Sequence, residues 1–189
     1  MPVENGFDEL LATMKKAGAA LRDADVRFAL GGGLAVWARG GPRTEHDVDF
    51  FVLPEDAERA QEALVTAGLR PERPPEGWLL KAWDGDVLVD LIFEPMGGPV
   101  DEELLGRAEV MDVAAVKMPV AAMEDVVVTK LLALNEQRLD YSSVLETARS
   151  VREQLDWDAI RRRTDESPYA RAFMTLVEEL GVATTPTRG

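Results

Sequence analysis

The segment FALGGGLAVWARGGPRTEHDVDFFVL, residues 28 to 53, constrains the chain more than any other. An apolar run, Phe28 to Leu30, breaks into Gly31, Gly32 and Gly33. A short helix-like stretch follows, then a turn at Gly40-Gly41-Pro42 and a second strand-like run that carries Asp47 and Asp49. Alternate side chains of a strand share a face, so Asp47 and Asp49 are expected side by side. Two carboxylates that close repel unless a cation lies between them, and a divalent metal held by oxygen ligands is the usual solution. Phe50, Phe51, Val52 and Leu53 carry the strand into a core, which sets the acidic pair at its beginning. Glycines before a helix leave backbone N–H groups unhindered, as a phosphate chain requires. The combination points to phosphoryl or nucleotidyl chemistry.

A third carboxylate is expected from a neighbouring strand. Asp84-Gly85 is a hairpin turn signal between two strand-like runs within residues 78 to 93. In Val87-Leu88-Val89-Asp90-Leu91-Ile92-Phe93 the only charge is Asp90. Burying it unpartnered would cost several kcal/mol, so Asp90 is expected as the third metal ligand.

The pattern of apolar strand, Gly-Gly, short helix, Asp-x-Asp and a later strand-borne Asp resembles the nucleotidyltransferase superfamily. With Gly32-Gly33 on the family's Gly-Gly, Asp47 and Asp49 fall at the spacing of the AbiEii and MenT-like toxin branch. Arg43 falls where that branch carries an arginine. One departure is local: the threonine often found two residues before the first Asp is replaced by Glu45, with Thr44 one position early. The resemblance sharpens at Lys130, Arg138 and Asp140-Tyr141, whose order is similar to that branch's second motif. It implies that Lys130 and Asp140 are needed for activity, that Gly32, Gly33, Arg43 and Lys130 bind the nucleotide, and that Asp47, Asp49 and Asp90 hold two Mg2+ ions, or Mn2+. It implies NMP transfer from an NTP to the 3′ end of tRNA, by a toxin with a cognate antitoxin. An aminoglycoside-type antibiotic nucleotidyltransferase is the alternative, since an acidic lobe would attract a polycation. A non-catalytic binding module of the same fold is the second alternative.

Composition narrows the setting. With 189 residues, 46% of them hydrophobic, the chain can bury a sizeable core. The absence of cysteine excludes disulfides and thiolate metal sites. No apolar run approaches a membrane span and the first residues lack a basic-then-apolar signal, so a soluble cytoplasmic protein is expected. The net charge of -14 argues against general nucleic-acid affinity. The charge is uneven, however: residues 1 to 126 hold 25 acidic and 12 basic side chains, and residues 127 to 189 hold 10 and 9. The second part could still present a local phosphate-binding face.

Periodicity predicts a helix over residues 7 to 22, with Gly18 weakening its last turn. A strand over 26 to 30 and a helix starting at Pro54 and ending at Gly68 follow. The run RPERPPEG reads as a loop. After the hairpin come a short helix near Leu104 and strands near 110 to 113 and 116 to 120. From Ala121 the chain turns helical. If one helix continues past Lys130, then Lys130, Leu134, Arg138 and Tyr141 form a stripe. Further helices are expected at 157 to 163 and 169 to 180. The expected fold is α+β (α/β), a mixed sheet with flanking helices. Residues 1–118 form the catalytic lobe, 119–183 a helical C-terminal lobe and 184–189 a frayed tail.

Several residues have plainer explanations. Arg161-Arg162-Arg163 reads as a solvated face before an RNA clamp. Strand alternation turns His46 away from the acidic pair, so it is not expected as a ligand. Trp37, Trp78, Trp83 and Trp157 are core candidates before they are base-stacking platforms.

Overall fold

The computed structural model describes residues 3–44, 47–75 and 77–183. The expectations for Glu45, His46 and the tail at 184–189 fall outside the described residues.

Helix α1 (Val3–Asp23) buries Phe7, Leu10, Met14, Ala17 and Leu21 along one face, the stripe its spacing predicts. It runs through Gly18 without a break, because that position packs against the sheet, where an added Cβ would lie 3.5 Å from Met118 Cε. Strand β1 (Phe28–Leu30) leads into α2 (Gly32–Ala38), and β2 (Val48–Val52) returns antiparallel to β1. A 3-10 turn (Pro54–Asp56) opens α3 (Ala57–Thr66), which ends ahead of Gly68 at φ +94.

Strands β3 (Arg70–Glu72), β4 (Leu79–Asp84) and β5 (Val87–Ile92) form an antiparallel meander. Arg70–Glu72 was expected as loop, and the difference has a physical reason. Pro71 cannot donate to a ladder, but β3 is the outermost strand, where a missing N–H is tolerated. The β4–β5 turn is the expected one, with Gly85 at φ +60. Helix α4 (Glu102–Gly106), N-capped by Asp101, precedes the β6 (Glu109–Val113) and β7 (Val116–Val120) hairpin.

Among the described residues the strands form one mixed sheet in the order β3-β4-β5-β2-β1-β7-β6, with β2 parallel to β5 and β1 parallel to β7. This is the mixed α+β architecture the sequence predicts. Helices α1 and α3 cover one face, and α2 and α5 (Met123–Leu132) lie on the other. Helices α6 (Ser142–Val151), α7 (Trp157–Thr164) and α8 (Pro168–Glu179) pack behind α5, and their buried residues join the same core as those of the sheet. No helix among the described residues is long and apolar enough to cross a membrane.

The continuous helix through Tyr141 does not form, because α5 ends at Leu132. The Asn135 side chain accepts from the backbone N–H groups of Gln137 and Arg138 at 3.0 and 3.2 Å, closing a turn that competes with the helix. Lys130 and Tyr141 therefore belong to different elements.

Candidate active site

The parallel register of β2 and β5 places Asp49 directly beside Asp90. Asp90 in turn faces Lys81 of β4, and Lys81 faces Glu72 of β3. Charged residues thus form one row across four strands: Glu72, Lys81, Asp90, Asp49. Strand alternation fixes the face. Val48 and Phe50 are buried on the α1 side, where Phe50 meets the Gly18 position, whereas Asp49 and Phe51 lie under the α2 glycines. The glycines permit this approach. A Cβ at Gly32, where φ is +53, would lie 1.7 Å from Asp49 Oδ2, and one at Gly33 would lie 2.6 Å from Thr44 Oγ1.

The acids are incompletely balanced. Burial, then the Asp90 and Asp47 charges, push the Asp49 carboxyl up to about 7, against the opposing pull of Lys130 and Lys81. Burial also raises Asp90, to about 6, although Lys81 opposes the shift. Lys81 Nζ lies 3.4 Å from Asp90 Oδ1, an oxygen that is buried and receives no hydrogen bond.

A cavity of about 300 Å³ opens over Asp47 and Asp49 and is lined also by Gly33, Arg43, Thr44 and Lys130. Three residues of α6 also line it: Ser143, Glu146 and Thr147. Lys130 Nζ donates to Ser143 Oγ at 3.3 Å, tying α5 to α6 at the cavity wall. The Arg43 guanidinium stacks over the Phe7 ring at 5.0 Å. A more apolar cavity of about 480 Å³, among Gly18, Phe28, Leu105 and Met118, contains none of Asp47, Asp49 and Asp90.

The structure thus gathers Asp47, Asp49, Gly33, Arg43 and Lys130 around one space and sets Asp90 beside Asp49. Asp140 stands apart, exposed, its Oδ1 accepting from the Ser142 N–H at 2.8 Å; hydrogen bonding from the Ser142 backbone and side chain lowers its pKa. Tyr141 is turned to the α8 start, where its hydroxyl donates to the Tyr169 carbonyl at 2.8 Å. Sequence reading did not find Lys81 or the α6 contributors. The i, i+3, i+4 spacing of Ser143, Glu146 and Thr147 was a usable signal for one helix face, but nothing local says that this face meets β2.

Carboxylate oxygens are hard donors that suit Mg2+ or Mn2+, and the shortfall of positive charge at Asp49 fits such an ion. Among the described residues, however, no three acidic or histidine side chains converge to metal-cluster spacing. That arrangement is still compatible with Mg2+, which is commonly held by one or two carboxylates together with substrate phosphates.

Residues 10–175 match a family described as nucleotidyl transferase of unknown function. The chain belongs to this nucleotidyltransferase family. The match is to that description, not to the AbiEii and MenT-like branch. Solved structures agree on the fold. The antibiotic-resistance factor ANT(2'')-Ia superposes with a TM-score of 0.64 at 18% identity, covering 90% of this chain and 94% of that one. The same factor in complex with adenylyl-2''-tobramycin gives 0.59 at 16% identity over 88% and 97%. A Thermotoga maritima protein assigned as a nucleotidyltransferase gives 0.53 at 17% identity over 85% and 95%. No curated protein matches the sequence. The nucleotidyltransferase fold implied by the resemblance is the fold present, and the family makes the protein an enzyme.

Proposed function

We propose that this nucleotidyltransferase moves a nucleoside monophosphate from an NTP to an acceptor hydroxyl, releasing pyrophosphate. The observation that carries the proposal is the Asp47, Asp49 and Asp90 group, under mutual repulsion beside a cavity that Lys130 also lines. Asp47 and Asp49 would hold a divalent cation together with the triphosphate. Such an ion, when bound, neutralises charge on the phosphoryl oxygens. Lys130 supplies a further positive charge at the cavity wall, and Arg43 and the backbone at Gly32 and Gly33 orient the phosphates. Asp90, its proton affinity raised by burial, takes the proton of the acceptor hydroxyl as that oxygen attacks the α-phosphorus and the bond to pyrophosphate breaks. Asp140 acts indirectly, by fixing the start of α6, which carries Ser143 and Glu146.

For the acceptor, the order Lys130, Arg138, Asp140-Tyr141 favours the 3′ end of tRNA and a toxin controlled by an antitoxin. A cationic small molecule of the aminoglycoside kind is the second reading, favoured by Glu146 in the cavity wall and the net charge of -14. The deciding experiment incubates purified protein with each α-labelled NTP, Mg2+ and either total tRNA or an aminoglycoside panel, with Asp49→Asn alongside. Label on tRNA supports the toxin reading, and label on an aminoglycoside the second. Nucleotide binding without transfer to either would leave a binding module.

A further inference from the structure

We infer that Lys81 supplies to Asp90 the positive charge that a second cation would bring, so that this site holds one divalent ion and not two, a step that rests on the nucleotidyl-transfer reading. The Lys81 backbone is held firmly. It stands in register between Glu72 and Asp90, and its backbone carbonyl accepts from Gln61 Nε2 at 2.8 Å, the same nitrogen that donates to the Glu72 carbonyl at 3.2 Å. Glu72 Oε2 is taken by Trp83 Nε1 at 2.6 Å, and the ion pair of Lys81 is with Asp90, at 3.4 Å. Both members are largely buried, with side chains 21% and 12% exposed, so their charges are weakly screened.

An ion on Asp90 Oδ1, the oxygen that faces Lys81, would sit about 2.1 Å from it. It would then meet the Lys81 ammonium at a few ångströms, where like charges repel strongly. No three-carboxylate cluster converges among the described residues, in keeping with Asp90 leaning to the lysine. Asp47 and Asp49 are left as the cation pair, and Asp90, oriented by Lys81, serves the acceptor side. Lys81 is on this account a positioning residue.

The test counts Mn2+ by electron paramagnetic resonance on the full chain, titrated with nonhydrolysable analogues of the four NTPs in turn. One ion per chain is expected for the wild type, a second for Lys81→Met, and an unchanged single ion for Asp90→Asn. Asp90→Asn keeps the question decidable should Lys81→Met fail to fold. Two ions in the wild type, a single ion in folded Lys81→Met, or loss of the ion in Asp90→Asn would each overturn the assignment. No nucleotide-dependent Mn2+ in the wild type would instead remove the nucleotidyl-transfer reading, and the role of Lys81 with it.

Discussion

Two groups of carboxylates in this protein are treated in opposite ways. Asp125 of α5 is fully buried, and three charge-assisted bonds satisfy it: Arg107 Nε to Oδ2 at 3.0 Å, Arg107 Nη2 to Oδ1 at 2.8 Å and Arg163 Nη2 to Oδ1 at 2.6 Å. The clamp joins α4, α5 and α7, and α5 also carries Lys130. Across the sheet, Asp49 and Asp90 stand side by side with too little positive charge, and burial raises the proton affinity of both. Where a buried acid is fully answered it fixes architecture. Where it is left short, it is available to a ligand.

The largest expected effect breaks the second group. Asp49→Asn should lower nucleotidyl transfer by about 10³-fold or more, a loss of roughly 4 kcal/mol of transition-state stabilisation. The same change should stabilise the fold at pH 8. The folded-state pKa of about 7 lies above the ordinary 3.8, so the folded chain keeps a proton that the unfolded chain has released. Stability from this group is therefore fullest below about pH 4 and is lost as pH rises toward 7. Allowing for solvent access at the cavity, the loss is on the order of 2 kcal/mol. Urea denaturation from pH 5 to 8 should show this slope in wild type and a flatter one in Asp49→Asn. Equal slopes would mean that the repulsion at Asp49 is already relieved.

Asp125→Asn tests the first group and should have no such compensation. It leaves two guanidiniums without their buried partner, although each is 35% exposed and can partly hydrate. A loss of about 3 kcal/mol is expected, read as a melting midpoint lower by roughly 5–10 °C. An unchanged midpoint would remove the clamp from the contrast.

Two members of the row, Asp49 and Asp90, were legible in the chain. Asp49 ahead of Phe50-Phe51, and a lone Asp90 in an apolar run, give strand and face from local pattern alone, although Asp47 falls just ahead of β2 and not within it. Lys81 was not, because its meaning depends on the register of β4 against β5, a long-range fact. The clamp was likewise hidden. Asp125 looks like an ordinary helix N-terminal acid, and Arg161-Arg162-Arg163 like a solvated face. Arg162 is exposed, but Arg163 goes to Asp125 and Arg161 pairs with Asp158 and Glu178. Of the four tryptophans expected in the core, Trp157 is buried, Trp37 and Trp78 pack against the core half-buried, and Trp83 does not join it but donates to Glu72. Helix α5 ended early because an Asn side chain outcompeted helical bonding, a choice that propensity alone does not predict.

Glycines sharpen the contrast at smaller scale. Gly32→Ala adds a Cβ 1.7 Å from Asp49 Oδ2 at φ +53, so both the backbone and the carboxylate must move. About 2 kcal/mol of stability should be lost, with activity. Gly85→Ala is the control: its φ is +60, but nothing lies within 4 Å, so it should cost only the backbone strain of about 1 kcal/mol and leave transfer intact. Equal losses of activity in the two variants would show that Gly32 is an ordinary turn residue.

The smallest effect should have the opposite sign. Gly18 lies inside α1, far in sequence from the acids, and a Cβ there would make only ordinary contacts, at 3.5 Å to Met118 Cε, 3.9 Å to Phe28 Cζ and 4.0 Å to Phe50 Cζ. Helical φ and ψ suit alanine, and replacing glycine removes freedom from the unfolded chain. Gly18→Ala should therefore gain about 0.5–1 kcal/mol in urea denaturation, with transfer unchanged. A loss instead would mean that Met118 and the two phenylalanines cannot yield the small space the methyl needs. The sheet would then be as tightly specified under α1 as it is beneath the α2 glycines.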